Sequence, residues 1–130
     1  MTLVDTSAWI EYLRDTDSEA CNKVDGLIRG HGLATTDVVI MELLSGAATL
    51  GVRQKIWGLM NRCLMMPTRP LFDYEVAAEL YSRCRVEGFH PANTNDLLIA
   101  AVAIGKQVPL LAADPDFERI AAVSSLRLVA

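Results

Sequence analysis

Four carboxylates stand in separate local contexts where a stray charge is unwelcome: Asp5 after Leu3-Val4, Glu42 between Met41 and Leu43-Leu44, Asp96 before Leu97-Leu98, and Asp114 after Leu110-Leu111-Ala112-Ala113. None has a basic residue beside it. Two unpaired carboxylates about 4 Å apart repel by roughly 4 kcal/mol at an effective dielectric near 20. If the four converge, something positive must lie between them, and a hard divalent cation bound through oxygen is the natural candidate. The chemistry expected of such a site is metal-dependent catalysis.

Each acid also has a purely structural explanation. Asp5 can cap the helix that follows it. Asp96 gains from the dipole of the helix it opens. Asp114 before Pro115 suits an N-cap with proline at the first helical position. Glu42 is harder to explain this way. Its helical neighbours Val38, Val39, Ser45 and Gly46 include no cation, and the two small residues leave room for a ligand.

The elements that must position these acids follow from the hydrophobic pattern. Thr2-Leu3-Val4 reads as a short buried strand, followed by helices over Ser7–Arg14 and Ser18–Ile28, with Gly30 and Gly32 stopping the second. A strand at Leu33-Ala34-Thr35 leads to a helix from Val38 to about Ala48, capped by Thr36 or Asp37. A further helix spans Gly51–Cys63, and Leu64-Met65-Met66 forms a strand ahead of Pro67. Asp73 is expected to cap a long helix that Gly88 closes. The segment Asn95–Gly105 is apolar nearly all round, hence buried on most sides. Val108–Leu111 is a strand, a short helix starts at Pro115, and Leu126–Val129 is a last strand. Strands alternating with helices imply an α/β fold whose parallel sheet is covered on both faces. Ligands in such sheets sit beyond the carboxyl ends of the strands, where Asp5 and Asp114 fall.

With 130 residues the chain has the size of one domain, residues 1–130, with a single core. Hydrophobic residues at 52% and charged residues at 22% exclude a disordered chain and leave room for a buried oligomer or partner surface. The longest clean apolar run, Leu97 to Ile104, is far short of a membrane helix, and no cation precedes Arg14 to suggest a secretion signal. A cytoplasmic protein is expected. Cys21, Cys63 and Cys84 lack disulfide or zinc spacing, and His31 and His90 lack ligand spacing, so all five read as structural or surface residues. The net charge of −4 argues at first against nucleic acid, but setting the four acids aside leaves 12 basic against 12 acidic residues. Charge alone decides nothing about RNA.

Taken together, Val4-Asp5-Thr6-Ser7-Ala8-Trp9, Met41-Glu42-Leu43, Asn95-Asp96-Leu97-Leu98-Ile99-Ala100-Ala101 and Asp114-Pro115-Asp116-Phe117 resemble the PIN-domain family, most closely its VapC-type toxins. The resemblance implies a three-layer α/β/α PIN-like fold and an endoribonuclease dependent on Mg²⁺ or Mn²⁺. It places Asp5, Glu42, Asp96 and Asp114 as the catalytic, metal-site acids, with Asp5, Asp96 and Asp114 among the metal ligands, Asp116 as an outer or second-metal ligand, and Ser7 or Thr6 orienting a ligand or water. It also implies a VapB-like antitoxin, a homodimer and an RNA substrate cut to leave a 5′-phosphate and a 3′-hydroxyl. Ala112 departs from the pattern, since many members carry a polar residue two positions before the last core Asp. Arg14, Arg53, Lys55, Arg62 and Arg69 are the candidates for phosphate contacts.

Three other readings compete. A receiver-type Mg²⁺ signalling domain needs an N-terminal acidic pair and a mid-chain phosphoacceptor, yet no acid lies between Glu42 and Asp73. A phosphatase with an Asp nucleophile needs a second Asp two residues on, where Ser7 stands. A non-catalytic acidic-pocket binding or regulatory module is separated from a nuclease by RNA cleavage itself.

Overall fold

Leu3 and Val4 have no exposed surface, and that buried pair is the centre of the sheet. The computed structural model describes residues 1–129. The order is β1 (Thr2–Val4), α1 (Thr6–Leu13), α2 (Glu19–Gly30), β2 (Leu33–Thr35), α3 (Asp37–Ser45), α4 (Leu50–Met60), β3 (Leu64–Met65), α5 (Phe72–Val86), α6 (Thr94–Lys106), β4 (Leu110–Leu111) and α7 (Asp116–Ala122). The strands lie in the order β3-β2-β1-β4 and all pairs are parallel. With helices on both faces, the strands carry apolar side chains on both, as a doubly covered parallel sheet requires. This is the expected α/β/α fold.

Helix α6 packs mainly against α5 and also touches α3 and α7. Its residues Leu97 and Ile99–Ala103 are all buried, in keeping with its apolar sequence. No helix among the described residues is long and apolar enough to cross a membrane. The three cysteines are free thiols.

Five local expectations are corrected. Helix α2 runs through Gly30, because His31 rather than glycine takes the left-handed position (φ 60°) that ends it. Helix α3 stops at Ser45, where Gly46 caps it, three residues before Ala48. Asp73 does not cap α5; it lies inside the first turn, fully buried, and holds Arg69 through two guanidinium contacts (Nη2 at 2.9 Å, Nε at 3.3 Å) and its backbone N–H at 2.7 Å. The helix starts instead from a tight turn in which Phe72 N–H donates to the Pro70 carbonyl, with Leu71 at φ 62°. The last strand is reduced to one parallel bridge between Leu128 and Leu110. On the other side, Pro109 shortens β4 to Leu110–Leu111, since proline has no N–H for the ladder.

Candidate metal centre

The carboxyl ends of β1 and β4 lie side by side, with Val4 paired to Leu111, and the chain turns into a helix just beyond each. Asp5 is the first residue past β1 and caps α1, its Oδ2 accepting from the Ser7 N–H at 2.9 Å and from the Ser7 hydroxyl. Its other oxygen, Oδ1, is buried and has no hydrogen-bond partner. The structural and functional explanations of Asp5 therefore coexist, one for each oxygen. A buried carboxylate oxygen without a donor is unstable unless protonated or met by a cation.

Ser7 joins the two strand ends. While its hydroxyl donates to Asp5, it accepts the N–H groups of Ala113 at 2.9 Å and Asp114 at 3.2 Å. This orders the loop after β4 without help from a polar group at Ala112. Asp114 then accepts the Asp116 N–H at 2.9 Å, which shapes the first turn of α7 and fixes the two acids relative to each other.

Opposite them, the first turn of α6 presents Asp96. One carboxylate oxygen from each of Asp96, Asp114 and Asp116 lies within 4.8 Å of the others. Asp5 and Glu42 are not part of this tight group; both Glu42 oxygens and Asp5 Oδ2 are held by neighbouring side chains, while Asp5 Oδ1 is not. Glu42 Oε1 accepts from the Thr6 hydroxyl at 2.7 Å and Oε2 from the Asn93 amide at 3.2 Å. Thr6 thus serves Glu42, and Ser7 serves Asp5.

Electrostatics ties all five acids into one centre. Burial pushes the Asp96 carboxyl up to about 7, reinforced by the charges of Asp5, Asp114, Glu42 and Asp116 in that order. Asp5 is raised to about 6, chiefly by burial; the bonds from Ser7 oppose the rise, and Glu42 adds to it. The tight trio, the partnerless Oδ1 and the mutual repulsion fit a hard divalent cation, for which an all-oxygen donor set is the right chemistry.

Asn93 escaped the sequence reading. It caps α6 by accepting the Asn95 N–H at 3.0 Å and, with the same side chain, holds Glu42. Its cap role was visible as Asn before an apolar helix; its bond to a residue 51 positions away was not. The basic candidates fare unevenly. Arg69 is bound to Asp73, Arg62 donates to the Ile28 carbonyl and Arg53 to the Leu44 carbonyl. Arg14 lines a cleft together with Glu42.

An α/β/α fold with carboxylates gathered beyond the strand ends is a geometry suited to metal-dependent phosphoryl chemistry. Residues 2–123 match the PIN domain family. The sequence is 34% identical over 129 residues to ribonuclease VapC11 of Mycobacterium tuberculosis, covering 98% of this chain and 96% of that protein. The chain therefore belongs to the PIN-domain family, among its VapC ribonucleases. The fold is shared with VapBC2 of Rickettsia felis bound to a promoter DNA fragment (TM-score 0.75, 20% identity, 98% of this chain and 96% of that one). It is also shared with M. tuberculosis VapC20, described as a sarcin-ricin loop cleaving toxin (TM-score 0.70, 19% identity, 98% and 99% covered).

Proposed function

We propose that this chain, as a single nuclease domain, is a metal-dependent endoribonuclease and the toxin of a toxin–antitoxin pair, acting in the cytoplasm. The observation that carries the reading is the Asp96–Asp114–Asp116 trio beside the partnerless Asp5 oxygen, in a chain of VapC descent. Asp5, Asp96, Asp114 and Asp116 would hold Mg²⁺, with Mn²⁺ able to replace it. A bound divalent cation supplies Lewis acidity and positive charge against the scissile phosphate.

The chain's own groups do the rest. Ser7 fixes Asp5 and the Asp114 loop in one frame, so the ligand oxygens are set before a cation arrives. Thr6 and Asn93 aim the Glu42 carboxylate, which takes the proton of the attacking water. Asp114 shares that task from the turn between β4 and α7. The relatives' names point to RNA as substrate and to a VapB-like antitoxin as partner; a homodimer is the assembly proposed with them.

The test is cleavage of labelled single-stranded, tRNA and sarcin-ricin loop RNAs in Mg²⁺, Mn²⁺ or EDTA, beside Asp96→Asn and Asp5→Asn. Metal-dependent cleavage lost in both variants is expected. A folded Asp5→Asn protein with full activity in Mg²⁺ refutes the assignment, and metal binding without cleavage of any RNA supports the non-catalytic pocket.

A further inference from the structure

A groove of about 640 Å³ runs between α5 and α6 and ends at Thr94 and Asn95, the residues that precede Asp96. Its walls are largely apolar, from Tyr74 and Tyr81 on α5 and Leu98 on α6. At its rim the Arg85 guanidinium lies over the Tyr81 ring, 5.5 Å from the centroid. The ion pairs among the described residues are Lys23–Glu19, Arg29–Asp25, Arg69–Asp73 and Arg83–Glu79. Arg85 is in none of them, although acidic residues outnumber basic ones in the chain.

We infer that this groove is a nucleotide subsite for the RNA strand flanking the scissile phosphate. The inference rests on the nuclease reading above. A base lies against Tyr74 and Leu98, Thr94 and Asn95 meet its polar edge, and Arg85, resting on Tyr81, takes the adjoining phosphate. Each part is matched to its chemistry. Stacking on an aromatic wall suits an unpaired base of any sequence. A planar guanidinium already lying on a ring loses little freedom when it grips phosphate oxygens. The acid centre alone repels the polyanion, so an uncommitted cation beside it is what lets the strand approach. An apolar groove is also what a second copy of a chain could cover, but the uncommitted positive charge at the rim favours a polyanion.

The test uses the cleavage-dead Asp96→Asn protein in Mg²⁺, with binding of a fluorescent single-stranded RNA read by anisotropy across a salt series. Adding Arg85→Ala is expected to weaken binding about tenfold, the scale of one lost charge-assisted hydrogen bond. The slope of log affinity against log salt should fall by about 0.7, as for one lost phosphate contact on a single strand. Arg85→Lys should keep the slope and lose part of the affinity, because an ammonium neither stacks nor binds in a fork. Arg85 is exposed, so both variants are expected to fold, which their melting curves check. Affinity within twofold of the parent and an unchanged slope overturn the subsite while leaving the nuclease reading intact. A shift from dimer to monomer in sedimentation without any change in RNA binding also overturns it, assigning the groove to a second copy. No RNA binding by the Asp96→Asn parent overturns the subsite, while metal-dependent cleavage of the same RNA by the wild type keeps the nuclease reading.

Discussion

Asp96→Asn, made to abolish cleavage, is expected to stabilise the metal-free protein at pH 8. Burial and four neighbouring carboxylates raise Asp96 from 3.8 to about 7 in the folded chain. A carboxyl raised in the folded state binds its proton more tightly there than when unfolded. Its contribution is therefore greatest below about pH 4, declines as pH rises, and is gone above about pH 7. At about 1.4 kcal/mol per pH unit, ionising Asp96 costs the fold at most about 4 kcal/mol. Asp114 and Asp116 are only half-buried, so water reaches the site, and about 2–4 kcal/mol is the reasonable range. For a chain of this size that corresponds to a melting shift of about 10 °C. The assay is thermal melting by circular dichroism at pH 5 and pH 8, each in EDTA and in Mg²⁺. In EDTA the wild type should melt lower at pH 8 than at pH 5. Asp96→Asn should close most of that gap, leaving the smaller step from Asp5, which is raised to about 6. Mg²⁺ should restore the wild type at pH 8 and do little for the variant. A variant melting at or below the wild type in EDTA at pH 8, or a wild type equally stable at both pH values, refutes the reasoning.

Ser7→Ala removes a hydroxyl that serves Asp5, Ala113 and Asp114, so a loss of about 1–3 kcal/mol in urea unfolding is expected together with a large loss of cleavage. Asn93→Ala should cost about 1 kcal/mol as a lost cap. Asn93→Ser keeps a capping side chain but is too short to reach Glu42, so kcat should fall at unchanged stability; equal rates in Ser and Asn proteins would rule out the strut. Arg69→Ala leaves Asp73 buried without its cation and should destabilise by about 2 kcal/mol, with RNA affinity unchanged in the folded fraction, which anisotropy reads.

The acids were legible because each breaks a local rule: a charge at a strand end, within an apolar helical segment, or before a Pro-opened helix. Asp73 shows the limit of that method. A cap and a buried partner for Arg69 look alike in sequence, and the choice depends on where the loop after β3 travels. Gly105 illustrates the same point, since a Cβ there would lie 2.4 Å from Arg69 Nη2, a constraint visible only once α6 meets that loop. Asn93, Thr6 and Ser7 are polar residues whose partners lie 51, 36 and 107 positions away, beyond the reach of any periodicity. The final segment read as a strand by its alternation, yet it joins the sheet by a single bridge.

The bond from the Ala113 N–H to Ser7 spans 106 positions, and β1 lies between β2 and β4 rather than at an edge. During synthesis from the N-terminus, Asp5 and Glu42 are made early but have neither Asp96 nor the Asp114 turn to complete them. The acid cluster thus closes only when α6 is in place and β4 and the turn after it have joined β1. A fragment that stops before Asp96 carries only two of the five acids, Asp5 and Glu42, and cannot assemble the cluster, however well its own strands and helices form.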